Sequence, residues 1–157
     1  MIICGIDAST SCTGWSIFKD DKLITYGAIK PHGEDWRGRV MDLTMALSEI
    51  FKIHRPNIIY IEETYTARNP QTTKVLTRLQ GIVYAWCMNN ECEFNTIRPS
   101  EWRKWLNFTQ NKNVKREQLK KQSLQYVLDN YGLEVTDDES DAICIADAVV
   151  KMFIEGN

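Results

Sequence analysis

The sequence predicts an α/β fold in which a five-stranded mixed sheet carries helices on its faces. Two observations lead there. The first 29 residues hold three short apolar runs separated by polar turns, the pattern of an antiparallel opening. After residue 35, short β-rich runs alternate with longer segments whose apolar residues recur at helical spacing, the pattern of strands joined through helices.

Residues 2–6 are an apolar run, Ile2-Ile3-Cys4-Gly5-Ile6, suited to a central strand. Residues 13–18 make a second strand and residues 23–29 a third. The polar turn Lys19-Asp20-Asp21-Lys22 between them marks a hairpin. After Asp35, Val40, Leu43, Leu47 and Ile50 recur at helical spacing, and Pro56 stops that helix. Residues 58–61 form a fourth strand, and the polar residues 64–70 a loop. From Thr73 to Asn89, Val75, Leu76, Leu79, Ile82, Val83 and Trp86 share one broad helical face. Residues 94–97 are the fifth strand. Pro99 opens a short helix at a position that suits proline. Residues 106–113 lack periodicity. A basic helix runs from about Val114 to Tyr131, where Gly132 ends it. The acidic loop 134–139 then leads into a last helix over 141–153. No linker, repeat or low-complexity segment interrupts the chain, so one domain over residues 1–157 is the simplest organisation.

At 157 residues, 43% hydrophobic and 25% charged, the chain is long enough to bury a core and has the composition of a soluble globular protein. No apolar run approaches the roughly 20 residues of a membrane helix. The N-terminus meets Asp7 at once, with no basic stretch before it, and reads as a buried strand rather than a leader. A cytoplasmic protein is expected. The cysteine count, five, is odd and no pair has zinc-site spacing, so reduced and mostly buried thiols are expected. His32 and His54 are isolated, and His54, just before Arg55-Pro56, suits a helix C-terminus better than a metal.

The net charge of −2 hides a split. Residues 98–121 carry eight basic side chains against Glu101 and Glu117, whereas residues 129–157 carry eight acids against Lys151 alone. This asymmetry suggests a polyanion contact beside a carboxylate cluster; two solvated helix faces of opposite sign are the alternative.

Acids stand in three places where a fold alone would not want them. Asp7 and Glu62 each close an apolar strand, and Asp138 and Asp141 flank the start of the last helix. A charge at the end of a buried strand is costly unless paired or metal-bound. If these ends meet, two unit charges ~4 Å apart at an effective dielectric of ~20 repel by roughly 4 kcal/mol. A divalent cation removes that penalty, and Mg²⁺ takes hard oxygen ligands of this kind. Each acid also has an ordinary reading: Asp7 as a turn former, Glu62 paired with Arg68, Asp138 as an N-cap and Asp141 as a first-turn acid.

The residues resemble a known family. Gly5-Ile6-Asp7-Ala8-Ser9-Thr10-Ser11-Cys12-Thr13-Gly14-Trp15 resembles the first motif of the RuvC-type Holliday junction resolvases, an aspartate followed by small residues and a Thr-Gly that begins the next strand. Ile61-Glu62-Glu63-Thr64-Tyr65-Thr66-Ala67-Arg68-Asn69 resembles the second, and Asp138-Glu139-Ser140-Asp141-Ala142 the closing one. The resemblance implies an RNase H-like fold and a metal-dependent endonuclease acting on four-way or other branched DNA in recombination and repair. It implies Asp7, Glu62, Asp138 and Asp141 as catalytic metal ligands, holding two Mg²⁺ per site with Mn²⁺ able to substitute. Glu62 is preferred to Glu63 because strand alternation turns the latter to the other face. Tyr65 falls where the family stacks an aromatic ring on an unpaired base. Arg68, Arg103 and Lys115 fall near DNA-contacting basic positions. The helix from Thr73 to Asn89 resembles the family's dimer helix, so a homodimer is implied. The short chain resembles phage-encoded versions, which would place it in the host cytoplasm.

Three other functions compete. Asp7-Ala8-Ser9-Thr10 resembles the phosphate loop of sugar-kinase and actin-like ATPases, but those need two domains. A non-catalytic branched-DNA-binding protein on the same fold would usually have lost an acid. An RNase H-type ribonuclease would use the same acids; the Tyr65 loop and the dimer helix favour the resolvase.

Overall fold

The computed structural model describes residues 1–64 and 69–156. Strands β1 (Ile2–Asp7), β2 (Thr13–Lys19), β3 (Lys22–Ile29), β4 (Ile58–Glu62) and β5 (Glu93–Ile97) form one sheet in the order β3-β2-β1-β4-β5. β1–β2 and β2–β3 pair antiparallel, while β1–β4 and β4–β5 pair parallel, so the sheet is mixed as expected. The hairpin turn is tighter than the four residues expected. Lys19 and Lys22 already pair, and Asp20 takes a left-handed φ of 56°, which a short polar side chain tolerates.

Helices α1 (Trp36–His54), α2 (Pro70–Asn89), α3 (Pro99–Trp105), α4 (Arg116–Tyr131) and α5 (Asp137–Glu155) cover both faces. Strand alternation divides the core in two. Cys4 and Ile6 of β1, Ile17 of β2 and Ile59 and Ile61 of β4 pack against Leu43, Leu47 and Phe51 of α1 and Leu79 and Val83 of α2. Ile3, Phe18, Ile58 and Ile97 point the other way, into Trp102 of α3, Val127 of α4 and the apolar run of α5 from Ile143 onward. α5 is buried on nearly every side from Ala142 to Val150, the mark of a helix held between a sheet and other helices. It lies directly on β1, because a Cβ at Gly5 would stand 2.6 Å from the Ala142 carbonyl oxygen.

Two helix starts differ from expectation, each for a capping reason. α5 begins at Asp137, one turn before residue 141. Thr136 is its N-cap and forms a reciprocal capping box with Glu139, so Asp138 sits inside the first turn and is not the cap. α2 begins at Pro70, not Thr73, with the Asn69 side chain accepting from Gln71 N and Thr72 N. The apolar face of α2 is also narrower than expected. Val75, Leu79, Val83 and Cys87 are buried, whereas Ile82 is 37% exposed. α4 ends at Gly132, in the left-handed conformation (φ 67°).

His54 lies in the last turn of α1, the helix C-terminal place expected for it, and its ring packs 6.3 Å from that of Trp15. The five cysteines are free thiols, four of them buried and Cys12 partly so. Among the described residues no helix is long and apolar enough to cross a membrane.

Candidate active site

The four acids come to one end of the sheet from three elements. On β1, Ile3 and Gly5 face α5, so Asp7, two residues on, faces it too. On β4, Ile58 faces the same side while Ile59 and Ile61 face away, which brings Glu62 round to α3–α5. The parallel register pairs Ile6 with Ile61, and one further step sets Asp7 beside Glu62. Glu63 turns outward and is exposed, as strand alternation requires. Asp138 and Asp141 project from the first turn of α5 on one helix face. Gly14 is paired with Asp7 across the hairpin, and it lets the Asp138 main chain lie against β2.

Asp7 lies within charge range of the other three acids. The Asp7 carboxyl is held well above the usual range, first by burial and then by repulsion from Glu62, Asp141 and Asp138, with Arg103 acting against this. Burial also raises Glu62; a hydrogen bond from Trp102 opposes the rise, Asp141 adds to it and Arg103 opposes it. Asp141 is raised by burial, against a hydrogen bond with Ser123 and the charge of Arg103. The Cys12 thiol is pushed up to about 11 by burial and then by its hydrogen bond with Asp138. Among the described residues no three His, Cys, Asp or Glu side chains close on one point as ligands of a single ion. The acids instead stand within charge range of one another, Glu62 held by Trp102, Asp141 beside Ser123 and Asp138 beside Cys12. As chemistry the set is all hard oxygen and anionic, which suits a divalent cation such as Mg²⁺ and not a soft metal.

Four neighbours of the acids had no signal in the sequence. Trp102 Nε1 donates to Glu62 Oε2 at 2.8 Å. Gln80 Nε2 of α2 donates to the Glu62 main-chain oxygen at 3.1 Å and to Thr64 Oγ1 at 2.8 Å. Ser123 of α4 lies beside Asp141, and Cys12 beside Asp138.

The expected DNA-contact residues divide. Arg103 lies among the acids, its guanidinium 4.7 Å from the centre of the Trp102 ring and its Nε buried without a hydrogen-bond partner among the described residues. It is an internal counter-charge to Asp7, Glu62 and Asp141. Lys115 is exposed at the N-cap of α4. Tyr65 and Arg68 lie outside the described residues.

The Arg103 placement has a measurable consequence. Arg103→Gln is expected to lower the melting temperature in EDTA by a few degrees, since roughly 1 kcal/mol moves a chain of this size by about 2–4 °C. The difference should shrink as pH falls and the acids protonate, and again when Mg²⁺ is added. Scanning calorimetry of both proteins under the three conditions checks this; an equal loss in all three would mean that Arg103 contributes packing alone.

The family model described as "Crossover junction endodeoxyribonuclease RuvC" matches residues 3–149. This chain belongs to the RuvC family. A RuvC of Nitratidesulfovibrio vulgaris (strain DP4) is 32% identical over 108 residues, which are 66% of this chain and 65% of that relative. The RuvC of Rickettsia typhi is 25% identical over 151 residues, covering 93% of this chain and 94% of the relative. Among solved structures, T. thermophilus RuvC in complex with a Holliday junction substrate superposes with a TM-score of 0.81 at 16% identity, over 99% of this chain and 97% of that one. Fowlpox virus resolvase with Holliday junction DNA superposes with a TM-score of 0.66 at 16% identity, over 98% and 99%. These structures bear out the fold expected for a RuvC-type chain. The expectation of a phage-type member is not borne out, because a bacterial RuvC is matched over nearly its whole length.

Proposed function

We propose that this chain is a structure-selective DNA endonuclease that resolves Holliday junctions or other branched DNA by metal-dependent phosphodiester hydrolysis. The observation that carries the reading is the convergence of Asp7, Glu62, Asp138 and Asp141 from β1, β4 and α5 on one space in a RuvC-family chain. Both superposed structures were captured with junction DNA, which supports the substrate class.

The four acids would hold two Mg²⁺ ions, with Mn²⁺ able to substitute. Divalent cations there would supply activation of the attacking water and stabilisation of the leaving oxygen. The chain's own residues set the field for them: Arg103 limits the mutual repulsion of the acids, and Gln80 and Ser123 anchor the strand end and the helix turn that carry them. Tyr65 would stack on an unpaired base near the junction centre, a contact worth roughly 1–3 kcal/mol. Arg68 and Lys115 would contact phosphates. A homodimer through α2, whose outer side exposes Ile82, Tyr84 and Met88, would set two active sites against a roughly two-fold junction.

The test is incubation of the protein with a labelled four-way junction, a matching linear duplex and an RNA–DNA hybrid, in Mg²⁺, Mn²⁺ or EDTA. Symmetric paired nicks in opposite strands of the junction, with 5′-phosphate ends and dependent on metal, are expected. Cleavage of the hybrid alone would make the protein a ribonuclease. Junction binding without cleavage under either metal would make it a non-catalytic branched-DNA binder.

A further inference from the structure

Trp102 is the largest of the fully buried side chains. An indole has one donor and no acceptor, and a buried N–H without a partner is costly. Its partner here is not a main-chain carbonyl but Oε2 of Glu62, at 2.8 Å, across 40 residues of sequence. The ring has little freedom to turn away. Phe108 meets it edge-on at 5.8 Å and 77°, Phe108 is in turn packed on Tyr126 at 5.6 Å, and the Arg103 guanidinium covers a face at 4.7 Å. Glu62 is therefore gripped twice. Gln80 holds its main-chain oxygen from α2, and Trp102 holds one carboxylate oxygen from α3. Among the described residues its Oε1 has no donor and is left to the space shared with Asp7 and Asp141.

We propose that Trp102 is a positioning residue for the reaction: its immobilised indole N–H engages Oε2 of Glu62 and so presents Oε1 to the cation. This rests on the metal-dependent reading above. The consequence is specific. Without the indole N–H the carboxylate is free to turn and to offer both oxygens, an arrangement that Ca²⁺ tolerates and Mg²⁺ does not favour. The partner of a metal-ligating group typically accounts for about 10–100-fold in metal affinity or activity.

Two measurements test it on the full chain. In the first, Trp102→Phe keeps an aromatic ring and removes the donor. Its cleavage should need about 10–100-fold more Mg²⁺, recover as Mg²⁺ is raised and become more sensitive to Ca²⁺, while junction binding in EDTA stays unchanged. Cleavage by a folded Trp102→Phe protein at the wild-type Mg²⁺ requirement would overturn the proposal. The second does not depend on activity or on that variant folding. With ¹⁵N labelling, the indole N–H resonance of Trp102, one of five tryptophans, should shift in Glu62→Ala and should respond to Mg²⁺ titration of the wild type. An indole set indifferent to both would also overturn it. If the wild type cuts no branched DNA yet the indole answers to Glu62 and to Mg²⁺, the nuclease reading fails and the positioning contact stands.

Discussion

Asp7→Asn is expected to abolish cleavage, by roughly 10³-fold or more, equivalent to about 4 kcal/mol of barrier, while leaving junction binding intact and making the metal-free protein more stable. The three outcomes follow from one placement. Asp7 lies at the end of β1 facing Glu62, Asp138 and Asp141, and burial followed by their repulsion holds its carboxyl well above the usual range. A carboxyl whose pKa is raised on folding destabilises the fold only where the unfolded chain would ionise it. The penalty is absent below about pH 4, the ordinary aspartate value, grows as pH rises through the folded value and is constant above it. Asparagine carries no charge and escapes the penalty. Repulsion from one neighbour at ~4 Å and an effective dielectric of ~20 amounts to roughly 4 kcal/mol; solvent screening and Arg103 reduce it. A gain of several degrees in melting temperature at pH 7 in EDTA is therefore expected, with none at pH 3. In Mg²⁺ the order is expected to reverse, because under the proposed function only the wild type keeps all four ligands. Calorimetry at the two pH values with and without metal, beside a junction cleavage assay, reads all of this. Undiminished cutting would remove Asp7 from the catalytic set. A fall in melting temperature in EDTA would show that its carboxylate anchors the fold.

The parts that were legible in the sequence share a physical origin. β1 and β4 are continuous apolar runs, so an acid that closes each stands out as Asp7 and Glu62 do, and strand alternation then favours Glu62 over Glu63. Helices on the faces follow from β-rich runs alternating with segments of helical spacing. Helix starts were less legible where two signals competed. Thr136 and Glu139 carry the capping pattern of α5, but the acidic run around them reads equally as a loop. Asn69-Pro70 is a cap and first-turn pair that the polar stretch before it obscures. Arg103 belongs to a basic run, and a run of charge reads as a solvated or phosphate-facing surface. The turn of α3 carries this one residue inward, over Trp102 and toward the acids. Trp102, Gln80 and Ser123 could not be found from local pattern at all. Each acts on an acid 18 to 40 residues away, and a tryptophan on a short helix reads simply as core.

Gly14→Ala is expected to be the most damaging small substitution near the site, and in a way opposite to Asp7→Asn. Gly14 pairs with Asp7 at the start of β2. A Cβ there would stand 1.9 Å from the Asp138 carbonyl oxygen, 2.5 Å from its carbonyl carbon and 3.3 Å from the Ala142 Cβ. The first two are backbone atoms of the helix turn that carries Asp138, so no side-chain rotamer change relieves the clash. α5 cannot retreat as a body either, since it is buried from Ala142 to Val150 between the sheet and its neighbouring helices. Overpacking of this kind costs about 1–3 kcal/mol, and the upper end applies where backbone meets backbone. That corresponds to a fall in melting temperature of roughly 5–10 °C for a chain of this size. Relief comes only by tilting the first turn of α5 away from β2, which separates Asp138 from Asp7. A displacement near 1 Å at a reacting centre can cost about 10²-fold in rate, and a loss of that order is expected in junction cleavage. Both variants thus lose activity, but in EDTA at pH 7 Asp7→Asn should melt above the wild type and Gly14→Ala well below it. Raising Mg²⁺ should restore part of the Gly14→Ala rate, because all four acids are still present, and none of the Asp7→Asn rate. A Gly14→Ala protein with wild-type stability would mean that the first turn of α5 does not rest on β2, and the assembly of the four acids would then need another support.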